Sequence, residues 1–227
     1  MSDTLSSVYV VIPALNEGAV VGDVIEQVRR VCPNVVLVND GSSDDTASRA
    51  RLAGAKVVSH AINLGQGAAL QTGITHALRL GASHVVTFDA DGQHDPREIP
   101  ALIDSLAGGA DVALGSRFKG TAIGIPMRRR LLLQAACWVN YVLTGLRLSD
   151  AHNGLRAFTR NAAQRLNLRQ SGMAHATEIV AQVARHRLKY VEVPVTIRYT
   201  AYSLAKGQTM SNSVHILIDL LLKGLTR

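Results

Sequence analysis

The first half of this chain alternates short β-branched runs with segments of helical periodicity, and this alternation constrains the fold more than any other feature. Five runs are typical of strands, at residues 8–12, 35–38, 56–59, 84–88 and 111–114. Apolar residues recur at helical spacing in between, over residues 20–31, 68–80 and 99–106. The strands are almost continuously apolar, which indicates burial on both faces, as in a parallel sheet. The pattern predicts an open α/β, Rossmann-like, mostly parallel sheet with right-handed crossovers and helices on both faces.

The second half of the chain breaks this rhythm. Its patterns predict helices over residues 126–146, 177–187 and 211–225, and strands over residues 153–158 and 190–199. The glycine-containing segments 119–125 and 200–208 are expected to be loops that close over a ligand. We find no repeat or linker composition, so we expect one domain over residues 1–227, with residues 8–120 and 121–227 as its two halves.

The charge balance narrows the choice of partners. The 227 residues include 24 Lys and Arg against 17 Asp and Glu, a net charge of +7, which favours nucleotide phosphates, nucleic acid or an anionic membrane surface. Because only 4% of the residues are aromatic, a base-stacking nucleic-acid surface is not expected. Cys32 and Cys137 lie too far apart in sequence to suggest a zinc site or a disulfide framework, which favours a cytoplasmic location. No run approaches the roughly 20 apolar residues of a membrane span, and the N-terminus does not resemble a signal peptide.

Polar clusters follow four of the predicted strands. They occupy residues 13–17, 39–44, 89–95 and 115–117. In an open α/β sheet, ligands bind at the carboxyl ends of the strands, so these clusters are expected to form one site at one edge of the sheet.

The pair Asp89 and Asp91 carries the most chemical information in these clusters. Two carboxylates one residue apart after an apolar strand can share a hard divalent cation, while phosphate oxygens and water complete its ligand shell. Such a cation would stabilise negative charge on a departing diphosphate. The alternative is a solvated acidic turn. For Asp40, which ends the second strand, hydrogen bonding to a nucleobase or ribose and a purely local turn are both open interpretations.

The motifs VVIPALNE, VVLVNDGSSDDT, NLGQGAALQTGI, VVTFDADGQHDP, DVALGSR, DAHNGLRAF and VEVPV follow one another over residues 8–200. In this order they resemble the family-2 glycosyltransferases with the GT-A fold, and in particular the dolichol- or polyprenyl-phosphate hexosyltransferases. The resemblance implies inverting, metal-dependent transfer of a hexose from a UDP- or GDP-linked sugar to a polyprenyl phosphate. A glycan acceptor, or a non-catalytic sugar-nucleotide-binding subunit, is the alternative. A phosphohydrolase is disfavoured because Gln93 stands where a DxDxT motif needs threonine.

The resemblance also implies roles for individual residues. The donor would contact Pro13, Ala14, Asn16, Glu17, Asp40, Gln66 and Asp89. Mg²⁺ or Mn²⁺ would be held by Asp89, Asp91 and Gln93. The acceptor or its phosphate would contact Arg117, Arg130, Gln134, Asn153, Arg156, Arg198 and Lys206. The catalytic set would be Asp91, Arg117, Asp150 and Glu178.

The acceptor decides whether a catalytic base is needed. A phosphate monoester has a second pKa near ~6 and is largely ionised at neutral pH, so it needs none. A sugar hydroxyl does need a base, for which Asp150 and Glu178 are the candidates. Arginine suits a phosphate acceptor because its planar guanidinium group binds phosphate oxygens bidentately.

A lipid-linked acceptor also requires access to a membrane. Residues 126–146 and 211–225 carry apolar stripes, and Arg128, Arg129 and Arg130 stand at the head of the first. This pattern suits an interfacial helix at the cytoplasmic face of a membrane, or contact with a membrane partner protein. Ordinary core-facing helices are the alternative interpretation.

Overall fold

The computed structural model describes residues 5–170, 174–200 and 202. Its strands are β1 (Val8–Ala14), β2 (Asn34–Asn39), β3 (Lys56–Ser59), β4 (His84–Thr87), β5 (Val112–Ile123), β6 (Arg156–Thr159) and β7 (Tyr190–Arg198). Its helices are α1 (Val21–Arg29), α2 (Thr46–Leu52), α3 (Gln66–Arg79), α4 (Ile99–Ala107), α5 (Met127–Thr144), α6 (Arg160–Arg165) and α7 (Ala174–Arg185), with a 3-10 turn at Pro96–Glu98 before α4.

Within these residues the strands form one sheet in the order β3-β2-β1-β4-β6-β5-β7. The first four strands are parallel, and so is the pair β5 and β7. Strand β6 runs antiparallel to both of its neighbours and pairs Arg156 with Thr87 on β4. The predicted mostly parallel sheet is confirmed, and β6 brings the second half of the chain into the middle of it.

The apolar residues of the strands divide between two cores, one on each face of the sheet. Val10 and Ile12 of β1 pack with α1 and α4, whereas Val11, between them, packs with α3 and α7. This division follows from the two-residue alternation of side chains along a strand. Helix α3 lies especially close to the sheet, because a Cβ at Gly73 would collide with the Val11 side chain.

Two features differ from the prediction, and two further predicted segments are not described. Strand β5 continues to Ile123 and pairs with β7, so most of the segment expected to be a loop at residues 119–125 is strand. The short helices α2 and α6 were not predicted, because neither spans enough turns to show a clear period. The predicted helix at residues 211–225 and the segment 203–208, which includes Lys206, lie outside the described residues.

Candidate active site

The acid pair lies directly after β4, at the edge where the parallel strands end. Asp89 is held by His94, whose Nε2 lies 2.9 Å from Asp89 Oδ2, and Gln66 Nε2 lies 3.4 Å from Asp89 Oδ1. Asp91 accepts hydrogen bonds from the Gln93 backbone at 3.0 Å and from Gln93 Nε2 at 2.8 Å. The loop that carries both acids is therefore ordered by its own side chains.

The two carboxyl groups differ in their acidity. Burial and the charge of Asp89 raise the pKa of Asp91 to about 6. Burial would also raise the pKa of Asp89, but the hydrogen bond from His94 and the positive charges of His94 and His175 hold it below its ordinary value. Asp89 is thus the more firmly ionised of the two.

These groups fit a divalent cation. A Cβ at residue 154 would lie on the Asp89 carboxylate, so Gly154 provides the space in which that carboxylate sits. No three Asp, Glu, His or Cys side chains come together as a closed metal site in the described ranges. The chain would therefore supply two carboxylates, and a bound diphosphate and water the remaining oxygens. In the structure Gln93 directs its amide nitrogen at Asp91, so its place as a metal ligand stays a prediction.

Of the polar residues predicted to bind the donor, Asp40 is the most enclosed. It is 3% exposed, and its carboxylate accepts hydrogen bonds from the backbone of Leu64 and Gly65 at 2.9 and 2.8 Å. His60 Nδ1 lies 2.7 Å from the same carboxylate. Asp40 thus fastens the loop before α3, which ends at Gly65 with a φ of 94°.

The polar cluster at residues 13–17, at the end of β1, is partly buried and partly exposed. Pro13 and Ala14 belong to β1 and pair with β2, whereas Asn16 is exposed, with its side-chain oxygen 2.8 Å from the Ser43 backbone nitrogen. Glu17 accepts a hydrogen bond of 2.8 Å from the Tyr202 hydroxyl. Burial and this contact raise the pKa of Tyr202 to about 12. Asn16 therefore contacts the loop that follows β2, whereas Glu17 lies close enough to Asp91 for its charge to raise the pKa of that carboxyl group.

A buried ion pair joins β5 to the turn before β6. Arg117 is 7% exposed and Asp150 is 3% exposed. Arg117 Nε and its backbone nitrogen both donate to Asp150 Oδ2, and Arg117 Nη1 donates to the Tyr199 hydroxyl at 2.6 Å. Arg117 Nη2 makes no hydrogen bond to any of the described residues. The guanidinium group is therefore fixed on two sides and can offer Nη2 to an anion.

Helix α5 brings a second guanidinium group to the same tyrosine. Arg129 lies over the Tyr199 ring, with its Cζ 5.0 Å from the ring centroid. The predicted Arg130 is exposed and lies 6.0 Å from the Phe118 centroid, and the predicted Gln134 is also exposed. Arg117, Asp150 and Tyr199 form a group that we call the Arg117 cluster. The structure thus brings Arg129, rather than Arg130, beside this cluster.

The turn at residues 150–154 is held by Arg156, which is 3% exposed. Its Nε donates to the Asn153 carbonyl oxygen at 2.9 Å and its Nη2 to the Ala151 carbonyl oxygen at 3.0 Å. Burial lowers the pKa of Arg156 to about 10. Asn153 is also buried and stabilises the turn through the Leu155 backbone nitrogen. Both residues therefore stabilise the turn at residues 150–154.

His152, in the same turn, makes stability depend on pH. Burial and the charge of Arg156 lower the pKa of His152 to about 4, from 6.5. Between pH 6.5 and 4 the unfolded chain binds a proton there that the native state does not, so stability falls as the pH falls. We expect wild type to lose up to about 3 kcal/mol over this interval relative to His152→Asn. Urea unfolding of both proteins across the interval measures this, and parallel stability profiles would refute it.

Of the three remaining predicted residues, the structure describes Glu178 and Arg198. The Glu178 carboxylate accepts hydrogen bonds from the Arg169 and Gln170 backbone nitrogens, the shortest 2.9 Å, and so ties α7 to the preceding loop. Arg198 is exposed at the end of β7, where its backbone nitrogen bonds the Gln93 carbonyl oxygen at 3.0 Å. Lys206 lies outside the described residues.

Sequence reasoning missed His94, Arg129 and Tyr199. His94 stands inside the most informative motif, five residues after Asp89, so its position was a usable signal. Tyr199 contacts Arg117 across 82 residues of chain, and no local pattern indicates such a pair. Arg129 could not be singled out, because three successive arginines do not show which one faces the protein.

Comparison with known proteins identifies the family. The sequence model of the family "Glycosyl transferase family 2" matches residues 9–166. The chain is 32% identical over 210 residues to polyprenol monophosphomannose synthase of Mycolicibacterium smegmatis, covering 87% of this chain and 79% of that protein. It is 30% identical over 245 residues to the UDP-N-acetylglucosamine–dolichyl-phosphate N-acetylglucosaminyltransferase of Methanococcus voltae, covering 98% and 97%.

Among solved structures, glucosyl-3-phosphoglycerate synthase of Mycobacterium tuberculosis, in complex with Mn²⁺, UDP and glucosyl-3-phosphoglycerate, is similar with a TM-score of 0.72. That similarity covers 96% of this chain and 80% of the other at 22% identity, and it establishes the GT-A fold. The chain belongs to glycosyl transferase family 2. It is a glycosyltransferase, as its motifs predicted.

Proposed function

We propose that this enzyme transfers a hexose from a nucleoside diphosphate sugar to a polyprenyl phosphate, with inversion and with Mg²⁺ or Mn²⁺ bound at Asp89 and Asp91. The two relatives above are named for polyprenol and dolichyl-phosphate acceptors, and the structural neighbour was crystallised with Mn²⁺ and UDP. A bound divalent cation would supply positive charge to the diphosphate that departs.

One observation carries the choice of a phosphate acceptor. Both candidate bases are occupied, Asp150 by Arg117 and Glu178 by two backbone amides. A sugar hydroxyl would need such a base, whereas an ionised phosphate oxygen does not. These contacts therefore support phosphate over a glycan.

The proposed reaction is a single displacement. The acceptor phosphate oxygen forms a bond to the anomeric carbon while the bond from that carbon to the diphosphate oxygen breaks, and no proton is transferred. Arg117 Nη2 and the Arg129 guanidinium group would hold the acceptor phosphate, and Asn16, Glu17 and Gln66 would border the donor. Catalysis would then rest on orientation and on charge stabilisation rather than on acid–base chemistry.

The test is a transfer assay with a matched pair of acceptors. UDP- and GDP-linked glucose, mannose and N-acetylglucosamine, radiolabelled in the sugar, are incubated with Mn²⁺ and either a polyprenyl phosphate or the corresponding polyprenol. We expect one donor to label the phosphate and none to label the alcohol, and NMR of the product to show inversion. A parallel reaction with a polysaccharide acceptor completes the test: labelling of the polysaccharide but not of the lipid would overturn the proposed acceptor. A nucleoside diphosphate that raises the melting temperature without any transfer would favour a non-catalytic subunit.

We also propose that α5 rests on an anionic membrane surface. Its apolar face, Met127, Leu131, Trp138 and Val142, is 58–69% exposed. Arg128 and Arg130 are exposed at the start of the same helix, and Arg129 there contacts the Arg117 cluster. Apolar residues beside cations match the charge and polarity of anionic lipid headgroups. No helix in the described part of the chain is long and apolar enough to cross a bilayer.

This contact predicts a spectroscopic change. Trp138 is the single tryptophan of the chain, so its emission should shift to shorter wavelength when vesicles containing phosphatidylglycerol are added. Leu131→Ser should weaken vesicle binding about tenfold, because it removes roughly 1.4 kcal/mol of apolar burial. Leu52→Ser, at a residue 88% exposed on α2, is the matched control and should bind as wild type does. Equal binding by all three proteins would refute this membrane contact.

A further inference from the structure

His94 is a buried histidine whose ring faces one of the two acids. Its side chain is 3% exposed, and its Nε2 lies 2.9 Å from Asp89 Oδ2. The other ring nitrogen, Nδ1, is buried and has no hydrogen-bond partner. The contact with Asp89 is thus the polar interaction that compensates for the burial of this imidazole ring.

Two elements fix the position of the ring. The backbone of His94 forms an antiparallel bridge with Ile197, and the Arg198 backbone nitrogen donates to the Gln93 carbonyl oxygen at 3.0 Å. The ring packs edge-on against Phe88, with centroids 5.3 Å apart and planes inclined by 62°. The end of β7 and the end of β4 therefore hold the imidazole from two sides, before any ligand binds.

The fixed position of the His94 ring gives the two oxygens of the Asp89 carboxylate different surroundings. Both of its oxygens lie over Gly154, where a Cβ would collide with them, but the hydrogen bond from His94 engages Oδ2. Among the described residues, its Oδ1 receives only the long contact of 3.4 Å from Gln66 Nε2. The two oxygens are therefore unequal, and Oδ1 is the one left available to a cation.

We propose that His94 is a positioning residue that orients Asp89 so that it binds the divalent cation through Oδ1 alone. This inference rests on the proposed function, because it assigns a geometry to the metal site of that function. His94 acts through Asp89 and does not touch the cation. Groups that orient a metal ligand in this way change metal affinity by about 10- to 100-fold when they are removed.

Three variants of His94 show whether its hydrogen bond to Asp89 or only the volume of its side chain affects metal binding. His94→Leu removes the donor and keeps most of the volume. His94→Gln keeps an amide nitrogen near the position of Nε2, and His94→Asn carries the same amide on a side chain too short to reach Asp89. His84→Leu is the matched control, since His84 is a half-buried histidine at the opposite end of β4.

The readout is Mn²⁺ affinity, measured by electron paramagnetic resonance of free Mn²⁺, with Mn²⁺ alone and with Mn²⁺ plus pyrophosphate. We expect His94→Leu and His94→Asn to bind about 10- to 100-fold more weakly than wild type. His94→Gln should recover most of the affinity, and His84→Leu should bind as wild type does. Circular dichroism identifies any variant that fails to fold, and the asparagine and glutamine variants still decide the question if the leucine variant does so.

The failures of the two proposals can be told apart. If Asp91→Asn abolishes Mn²⁺ binding while every His94 variant binds as wild type does, the role of His94 is overturned and the metal site stands. If His94→Gln binds as weakly as His94→Leu, the donated hydrogen bond is not what matters, and the inference also fails. If wild type binds no Mn²⁺ with or without pyrophosphate, the metal-dependent function and the inference fall together.

Discussion

Asp91→Asn is expected to reduce sugar transfer by about a thousandfold and, in the absence of metal, to stabilise the protein. The loss follows because the variant removes one of two carboxylates that would hold the cation, and metal stabilisation of a leaving group contributes several kcal/mol. The gain follows from the pKa of about 6 that burial and Asp89 impose on Asp91. At pH 7 the native state carries this charge less readily than the unfolded chain does, so its removal should stabilise the fold by about 2 kcal/mol.

The prediction is specific because Asp91→Asn should lower the transfer activity and at the same time raise the stability of the metal-free protein. Thermal unfolding should show a higher melting temperature for Asp91→Asn without metal, and no further rise when Mn²⁺ and the nucleoside diphosphate are added, whereas wild type should rise by mass action. Asp95→Asn is the matched control, because Asp95 lies four residues further along and binds Arg97 instead. A variant that keeps its Mn²⁺-dependent shift would show that Asp91 is not a metal ligand.

The second large effect is expected at the buried ion pair. Asp150→Ala leaves the Arg117 guanidinium group, 7% exposed, without its carboxylate, and loss of one partner of a buried pair costs about 3–5 kcal/mol. The Arg117 backbone nitrogen also loses its acceptor. Urea unfolding at constant m-value measures the loss.

A double variant identifies the cause of that loss. In Arg117→Met with Asp150→Ala, no uncompensated charge remains, so a large part of the lost stability should return. Transfer should stay abolished in the double variant, because the proposed phosphate contact is gone. Strictly additive losses would show that the two side chains are not energetically coupled. Normal stability of Asp150→Ala with loss of transfer alone would point to a catalytic base and so weaken the case for a phosphate acceptor.

The first half of the fold could be predicted because each of its elements carries its own period. The predicted ends of strand β2 and helix α1 lie within about two residues of the observed ends, because burial sets the apolar pattern of both elements. The partner of β6 could not be predicted, because the residues of β6 indicate a strand but not its neighbours. Strand β5 was predicted too short, since residues 117–123 mix charged, polar and small side chains that lack a two-residue alternation.

The site was predictable where chemistry is local and not where it spans the chain. The acid pair and its location at the strand ends followed from spacing alone. That Asp150 pairs with Arg117, 33 residues earlier in the sequence, depends on how β5 and the turn before β6 meet, which no local pattern encodes. The orientation of α5, which brings Arg129 to Tyr199, likewise depends on tertiary packing.

The antiparallel pairing of β4 with β6 has a consequence for redesign of this enzyme. Because Thr87 pairs with Arg156, the acids that follow β4 and the turn that precedes β6 are registered by the same ladder of hydrogen bonds. A one-residue insertion in that turn that shifted the ladder would displace it by about 3.4 Å and turn Arg156 to the opposite face of the sheet. Attempts to change the proposed acceptor should therefore conserve the length of residues 150–156 and vary α5, where Arg129 is proposed to hold the acceptor phosphate.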